Sequence, residues 1–116
     1  MDGEISGPEL EAKLENGDSP LIIDIRNKRQ FDQHRIPGAV NVPLAQLPQR
    51  VETVRDAEHV VTVCPHGKAS VKAARLVTSF EGFSGTVESL SCGFSGWDGP
   101  VEGRDIASEQ SQDAPF

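Results

Sequence analysis

Two short runs of branched apolar residues constrain this chain more than anything else in it. "LIIDI" covers residues 21–25 and "HVVTVC" covers residues 59–64. A strand with one wet face alternates apolar and polar residues, and neither run does. Both read as strands buried on both faces, the pattern of a parallel sheet covered on each side. Segments with helical spacing separate them. Strands alternating with helices predict an α/β fold in three layers, with a central, mostly parallel sheet of about five short strands.

The rest of the chain fits between these anchors. "ISGPELEAKLENGDSP" (residues 5–20) reads as a helix with both ends marked. Ser6 caps it, Glu9 completes a capping box, Pro8 sits in the first turn, Gly17 supplies a left-handed stop and Pro20 prevents continuation. "NKRQFDQH" (27–34) is a short helix, and "GAVNVP" (38–43) a short strand closed by Pro43. "LAQLPQRVETV" (44–54) is a weak helix with Leu44, Leu47, Val51 and Val54 at spacings of three and four; Pro48 either breaks it or opens a second piece. In "KASVKAARLVTSF" (68–80), Val71, Ala74, Val77 and Phe80 share the apolar face of an amphipathic helix. "TVESL" (86–90) is the last strand, and "SCGFSGWDGP" (91–100) a glycine-rich loop or short helix. From about Val101 the chain is polar and aperiodic. The expected organisation is one domain over residues 1–100 and a disordered tail over 101–116.

Composition removes several function classes. The 116 residues carry a net charge of −7, a balance that repels nucleic acid and anionic membranes. No apolar run approaches the length that spans a bilayer. The acidic first residues lack the basic-then-apolar layout of a signal peptide, so the expected location is cytoplasmic. Cys64 and Cys92 make no disulfide framework. Neither cysteine sits in a metal-binding spacing with His34, His59 or His66, so no metal and no cofactor are expected. A monomer is expected.

The chemistry is expected at one edge of the sheet. In a parallel sheet all the carboxyl ends of the strands lie together, and ligands bind there. Asp24, Cys64 and Cys92 each end or follow a strand, so topology gathers them at one rim. Cys64 stands one short loop before a helix that begins near Ala69 or Ser70. The free N–H groups and positive dipole end of that helix point back at the loop. Gly67 lets the backbone bend close to a ligand, and successive amides converge into an anion-binding concavity. A cysteine there is favoured as thiolate, Lys68 adds positive charge, and an accessible nucleophile follows. The plainer reading is a small apolar Cys closing a buried strand. Asp24 and Arg26, charged at a strand end, read as solvated or paired structurally. His66 reads as a rim residue that shapes access, with Phe94 and Trp97 as packing for the rim.

Three segments in order carry a family resemblance: "DIRNKRQFDQHRIPGAVNVP", "VVTVCPHGKAS" and "VESLSCGFSGW". The first resembles an Asp-x-Arg at a strand end followed by an aromatic and Ile-Pro-Gly-Ala. The second resembles an active-site strand with its Cys loop, and the third a closing strand with a glycine-rich turn and a Trp. Together the chain resembles a single-domain sulfurtransferase of the rhodanese superfamily. The resemblance implies the three-layer rhodanese-like fold. It implies that Cys64 takes a sulfane sulfur from a donor such as thiosulfate, forming a persulfide, and passes it to cyanide or a protein thiol. Pro65, His66, Gly67, Lys68, Ala69 and Ser70 would hold the substrate through loop amides and charge, and Asp24, Arg26 and Arg35 would brace the loops. Ala69 stands where many members carry Arg or Ser, Arg35 where His is usual, His34 where Gly is usual, and Cys92 where Gly is common.

Other readings stay open at this point. Cys92 is either a small residue accepted in place of Gly or a resolving thiol that attacks a Cys64 persulfide. A sulfur relay to a protein partner shares the persulfide step and differs in acceptor. A regulatory binding module is opposed by the presence of Cys64. A phosphatase would want an Arg six positions after the Cys, where Ser70 stands.

Overall fold

A computed structural model of the chain describes residues 2–18 and 20–104. Five strands form a single sheet: β1 (Asp2–Ile5), β2 (Leu21–Asp24), β3 (Val40–Asn41), β4 (His59–Val63) and β5 (Thr86–Leu90). Their spatial order is β1-β5-β4-β2-β3, and every pairing is parallel. The two branched runs thus occupy central positions, where both faces are covered. The helices are α1 (Gly7–Glu15), α2 (Lys28–Gln33), α3 (Val51–Val54) and α4 (Ala69–Ser79). Among the described residues, no helix is long and apolar enough to cross a membrane.

Alternation along the strands sends side chains to two separate apolar layers. Val60, Ile23 and Val87 face one side, packed with Ala73, Ala74 and Val77 of α4 and with Leu47 and Val54. Val61, Val63, Ile22 and Leu90 face the other, packed with Leu10 of α1, Ile36 and Trp97. These are the outer layers of an α/β/α sandwich.

Several expected details hold. Ser6 accepts from the Glu9 amide while the Glu9 carboxylate accepts from the Ser6 amide, the reciprocal capping box at α1. The weak segment divides in two at Arg50, into a 3₁₀ turn at Leu44–Gln49 that holds Pro48 within it and the single turn of α3; Pro48 itself is not the break and does not open the second piece.

Others need correction. Strand β1 is absent from the expected elements; among the described residues it pairs with β5 alone, and Gly3 and Glu4 are exposed. The buried face of α4 is Ser70, Ala73, Ala74 and Val77, rotated from the expected one, so Ser70 points inward. Residues 101–104 of the expected tail are described, and Glu102 forms a bridge with Arg35. The remainder of the expected tail lies outside the described residues.

Candidate active site

Cys64 follows directly after β4 and is 2 % exposed. The chain then turns through a short loop into α4. Gly67 makes the turn possible: its φ is +80°, and a side-chain carbon there would drive into the Ser91 carbonyl. This backbone aims the Gly67 amide at the Cys64 sulfur across 3.0 Å. The residue that opens α4, Lys68, supplies no side-chain cap, so the first-turn amides remain available to the loop. Burial pushes the Cys64 thiol up. The Ser70 hydroxyl and the backbone N–H groups of Ser70, His66 and Gly67 pull harder in the other direction, and the thiol lies below its ordinary value.

The other expected loop residues divide by chemistry. Pro65 has no N–H to give; instead its carbonyl accepts from the Ser95 amide at 3.0 Å. The Cys64 carbonyl accepts from the Phe94 amide at 2.8 Å. The turn at Phe94–Gly96 therefore clamps the loop from the side. His66 is exposed, with Nδ1 3.2 Å from Ser95 Oγ. Lys68 and Ala69 are exposed, and Lys68 is not among the groups that lower the thiol, contrary to the expectation from its charge. Ser70 contributes more than an amide. Its fully buried hydroxyl lies 3.3 Å from Cys64 Sγ and 2.6 Å from Ser89 Oγ, and its carbonyl accepts from Thr62 Oγ1 at 2.8 Å.

Asp24 and Arg26 form a buried pair. Arg26 Nε donates to both carboxylate oxygens (2.9 and 3.1 Å), Nη2 to Asp24 Oδ2 (2.8 Å), and the Arg26 amide to Oδ1 (3.0 Å). Nη2 also donates to the His34 carbonyl, and Asn41 Nδ2 donates to the Asp24 and Arg26 carbonyls. The guanidinium lies over the Phe94 ring, 4.1 Å from its centre. The pair is thereby linked to Cys64 through Phe94, whose amide holds the Cys64 carbonyl. Arg35 is turned elsewhere: it pairs with Glu102 at 3.2 Å and lies over the Phe31 ring.

The sulfur of Cys92 and that of Cys64 sit in different apolar layers. The Cys92 sulfur lies against Gly7 at the start of α1 and belongs with the Trp97 side of the sheet, whereas Cys64 belongs with the α4 side. Both cysteines are free. Burial, together with the charge of Asp98, pushes the Cys92 thiol up, against its backbone hydrogen bonds. The shared rim brings the backbone next to Cys92, at Gly93, against the Cys64 loop, while the Cys92 sulfur packs by Gly7.

Sequence reasoning missed Thr62 and Ser89. Thr62 interrupts the apolar run of β4 and Ser89 follows Glu88 in β5, at 0 % and 1 % exposure. Their signal was burial itself: a polar side chain inside a doubly covered strand needs a partner.

Comparison with known proteins matches residues 6–99 to the rhodanese-like domain. The chain is 30% identical over 95 residues to a human thiosulfate:glutathione sulfurtransferase, covering 70% of this chain and 81% of the relative. It is 27% identical to a Bacillus subtilis protein named only as a candidate sulfur carrier, covering 85% of this chain; the chain spans 52% of that relative's length. In fold it matches the rhodanese-like domain of an Anabaena protein, with a TM-score of 0.78 at 24% identity, covering 92% of this chain and 83% of the other.

Proposed function

We propose that this chain, which belongs to the rhodanese-like domain family, transfers a sulfane sulfur from thiosulfate to a thiophilic acceptor through a persulfide on Cys64. The carrying observation is the Cys64 sulfur held by the Gly67 amide and the Ser70 hydroxyl at a helix start, with its thiol below the ordinary value.

The chemistry follows from that placement. The Cys64 thiolate attacks the outer sulfur of thiosulfate. A new S–S bond forms, the old one breaks, and sulfite leaves with the bonding pair. The added sulfur extends the reactive atom about 2 Å from the buried Sγ, into the reach of the loop amides. Negative charge on that outer sulfur is stabilised as an oxyanion is in an acyl-transfer site. An acceptor such as cyanide then attacks the outer sulfur, takes it as thiocyanate, and returns Cys64 to the thiolate. Lys68, exposed on the rim, steers the dianionic donor.

The names of relatives support both a small-molecule donor and a sulfur-carrying role. Against phosphoryl transfer stands the sixth position after Cys64. It holds Ser70, and the next arginine, Arg75, is exposed on α4. The test is thiocyanate formation from thiosulfate and cyanide. Steady turnover that is lost on Cys64→Ser is the expected result, and turnover surviving that change would refute the assignment.

A further inference from the structure

Three buried groups stand in a row behind the loop. Cys64 Sγ lies 3.3 Å from Ser70 Oγ, which lies 2.6 Å from Ser89 Oγ. They come from three elements: the end of β4, the first turn of α4 and the end of β5. The strand register sets Ser89 opposite Thr62, and the Thr62 hydroxyl donates to the Ser70 carbonyl, fixing the Ser70 backbone from the same side. We propose that Ser89 is a positioning residue for Cys64: by donating to the Ser70 oxygen, it turns the Ser70 hydroxyl proton onto the sulfur. The inference rests on Cys64 being the nucleophile proposed above.

Counting protons gives the direction. In their neutral forms the three groups carry three protons, and the row has two links. With Cys64 protonated, one proton finds no acceptor within the row. The other groups on the sulfur are backbone N–H groups, of Gly67 at 3.0 Å and of His66 and Ser70, all of them donors. With Cys64 ionised, two protons fill two links: Ser89 donates to Ser70, and Ser70 donates to sulfur. Among the described residues Ser70 is the hydrogen-bond partner of the Ser89 hydroxyl. The row is therefore complete when the nucleophile is charged, and changing between the two states requires hydroxyl rotation without heavy-atom movement. A hydrogen bond that polarises a second one strengthens it, so Ser89 acts on the sulfur without touching it.

The test is the pH dependence of iodoacetamide alkylation, read at the Cys64 peptide by mass, on the full chain with no sulfur donor present. Ser70→Ala should raise the midpoint by about one unit, the loss of one hydrogen bond to a charged group. Ser89→Ala should raise it by about 0.1–0.3 units, the share of that bond's strength that a polarising second bond supplies. The double variant should rise no further than Ser70→Ala alone, because Ser89 acts through Ser70. Thermal unfolding should not follow this order: Ser70→Ala strands the Ser89 hydroxyl, and adding Ser89→Ala should remove that strain. If Ser89→Ala does not fold, Ser89→Val also removes the donor and should give the same rise. A folded Ser89 variant with an unchanged midpoint would overturn the proposal, as would a Ser89→Ala shift that persists in full in the Ser70→Ala background. Because no donor is present, failure here is separate from failure of thiocyanate formation.

Discussion

Gly93 lies directly against the backbone of the Cys64 loop: a side-chain carbon there would stand 2.5 Å from the Pro65 carbonyl oxygen and 2.6 Å from the Gly67 nitrogen. Its φ is +67°, a conformation that side chains oppose. The loop after β5 is thus the back wall of the loop after β4. Gly93→Ala should push the Gly67 amide off the sulfur. Stability should fall by about 1–3 kcal/mol, and the alkylation midpoint of Cys64 should rise. Unfolding and alkylation on the same preparation check both.

The two thiols are displaced in opposite directions, Cys64 down and Cys92 up. The attacking species is the thiolate, so donor turnover should decline as pH falls through the Cys64 midpoint, about tenfold per unit below it. That midpoint should lie below the ~8.5 of a free thiol, and that of Cys92 above it. Peptide-resolved alkylation across pH measures both at once. Coincident midpoints would contradict the description of the site.

Lys68 is exposed, and the groups that chiefly hold the thiol down are the Ser70 hydroxyl and the loop amides. Lys68→Ala should leave the Cys64 midpoint within about 0.2 units of its starting value while raising the KM for thiosulfate roughly twofold to threefold at low salt. At about 1 M salt, where the screening length is near 3 Å, the KM difference should vanish. A KM difference independent of salt would place Lys68 in direct contact with the donor.

Asp24 and Arg26 are buried to 1 % and 7 % exposure. Removing one partner of such a pair strands the other charge, a loss of about 3–5 kcal/mol. Arg26→Ala should therefore lower the denaturation midpoint strongly. Arg26→Lys should recover only part of it, because an ammonium does not reproduce the forked contact. Denaturant unfolding of the two variants tests this. A small effect from Arg26→Ala would mean that the pair does not brace the loops.

The sequence made legible whatever depends on continuous local pattern. Branched runs marked β2 and β4, Ser6 and Glu9 marked the start of α1, and Gly67 marked the Cys64 loop. What escaped depends on partners distant along the chain. Strand β1 is acidic, with Gly3 and Glu4 exposed, and it exists because β5 offers a free edge. The inward turn of Ser70 follows from partners on β4 and β5, and helical spacing of apolar residues instead pointed to Val71 and Phe80. Arg35, expected to brace the loops by family position, pairs with Glu102, a partner sixty-seven residues on that no local pattern marks. The direction of the Cys92 sulfur was equally hidden: strand order places its backbone at the rim, but only packing against Gly7 decides where the thiol goes.

The claim that Cys64 carries the sulfur is tested most directly by intact mass after thiosulfate treatment. The account predicts a gain of one sulfur, roughly 32 Da, located at the Cys64 peptide, removed by cyanide and lacking in Cys64→Ser; the thiolate is the species that accepts it. An adduct that persists in Cys64→Ser, or that maps to Cys92, would contradict it.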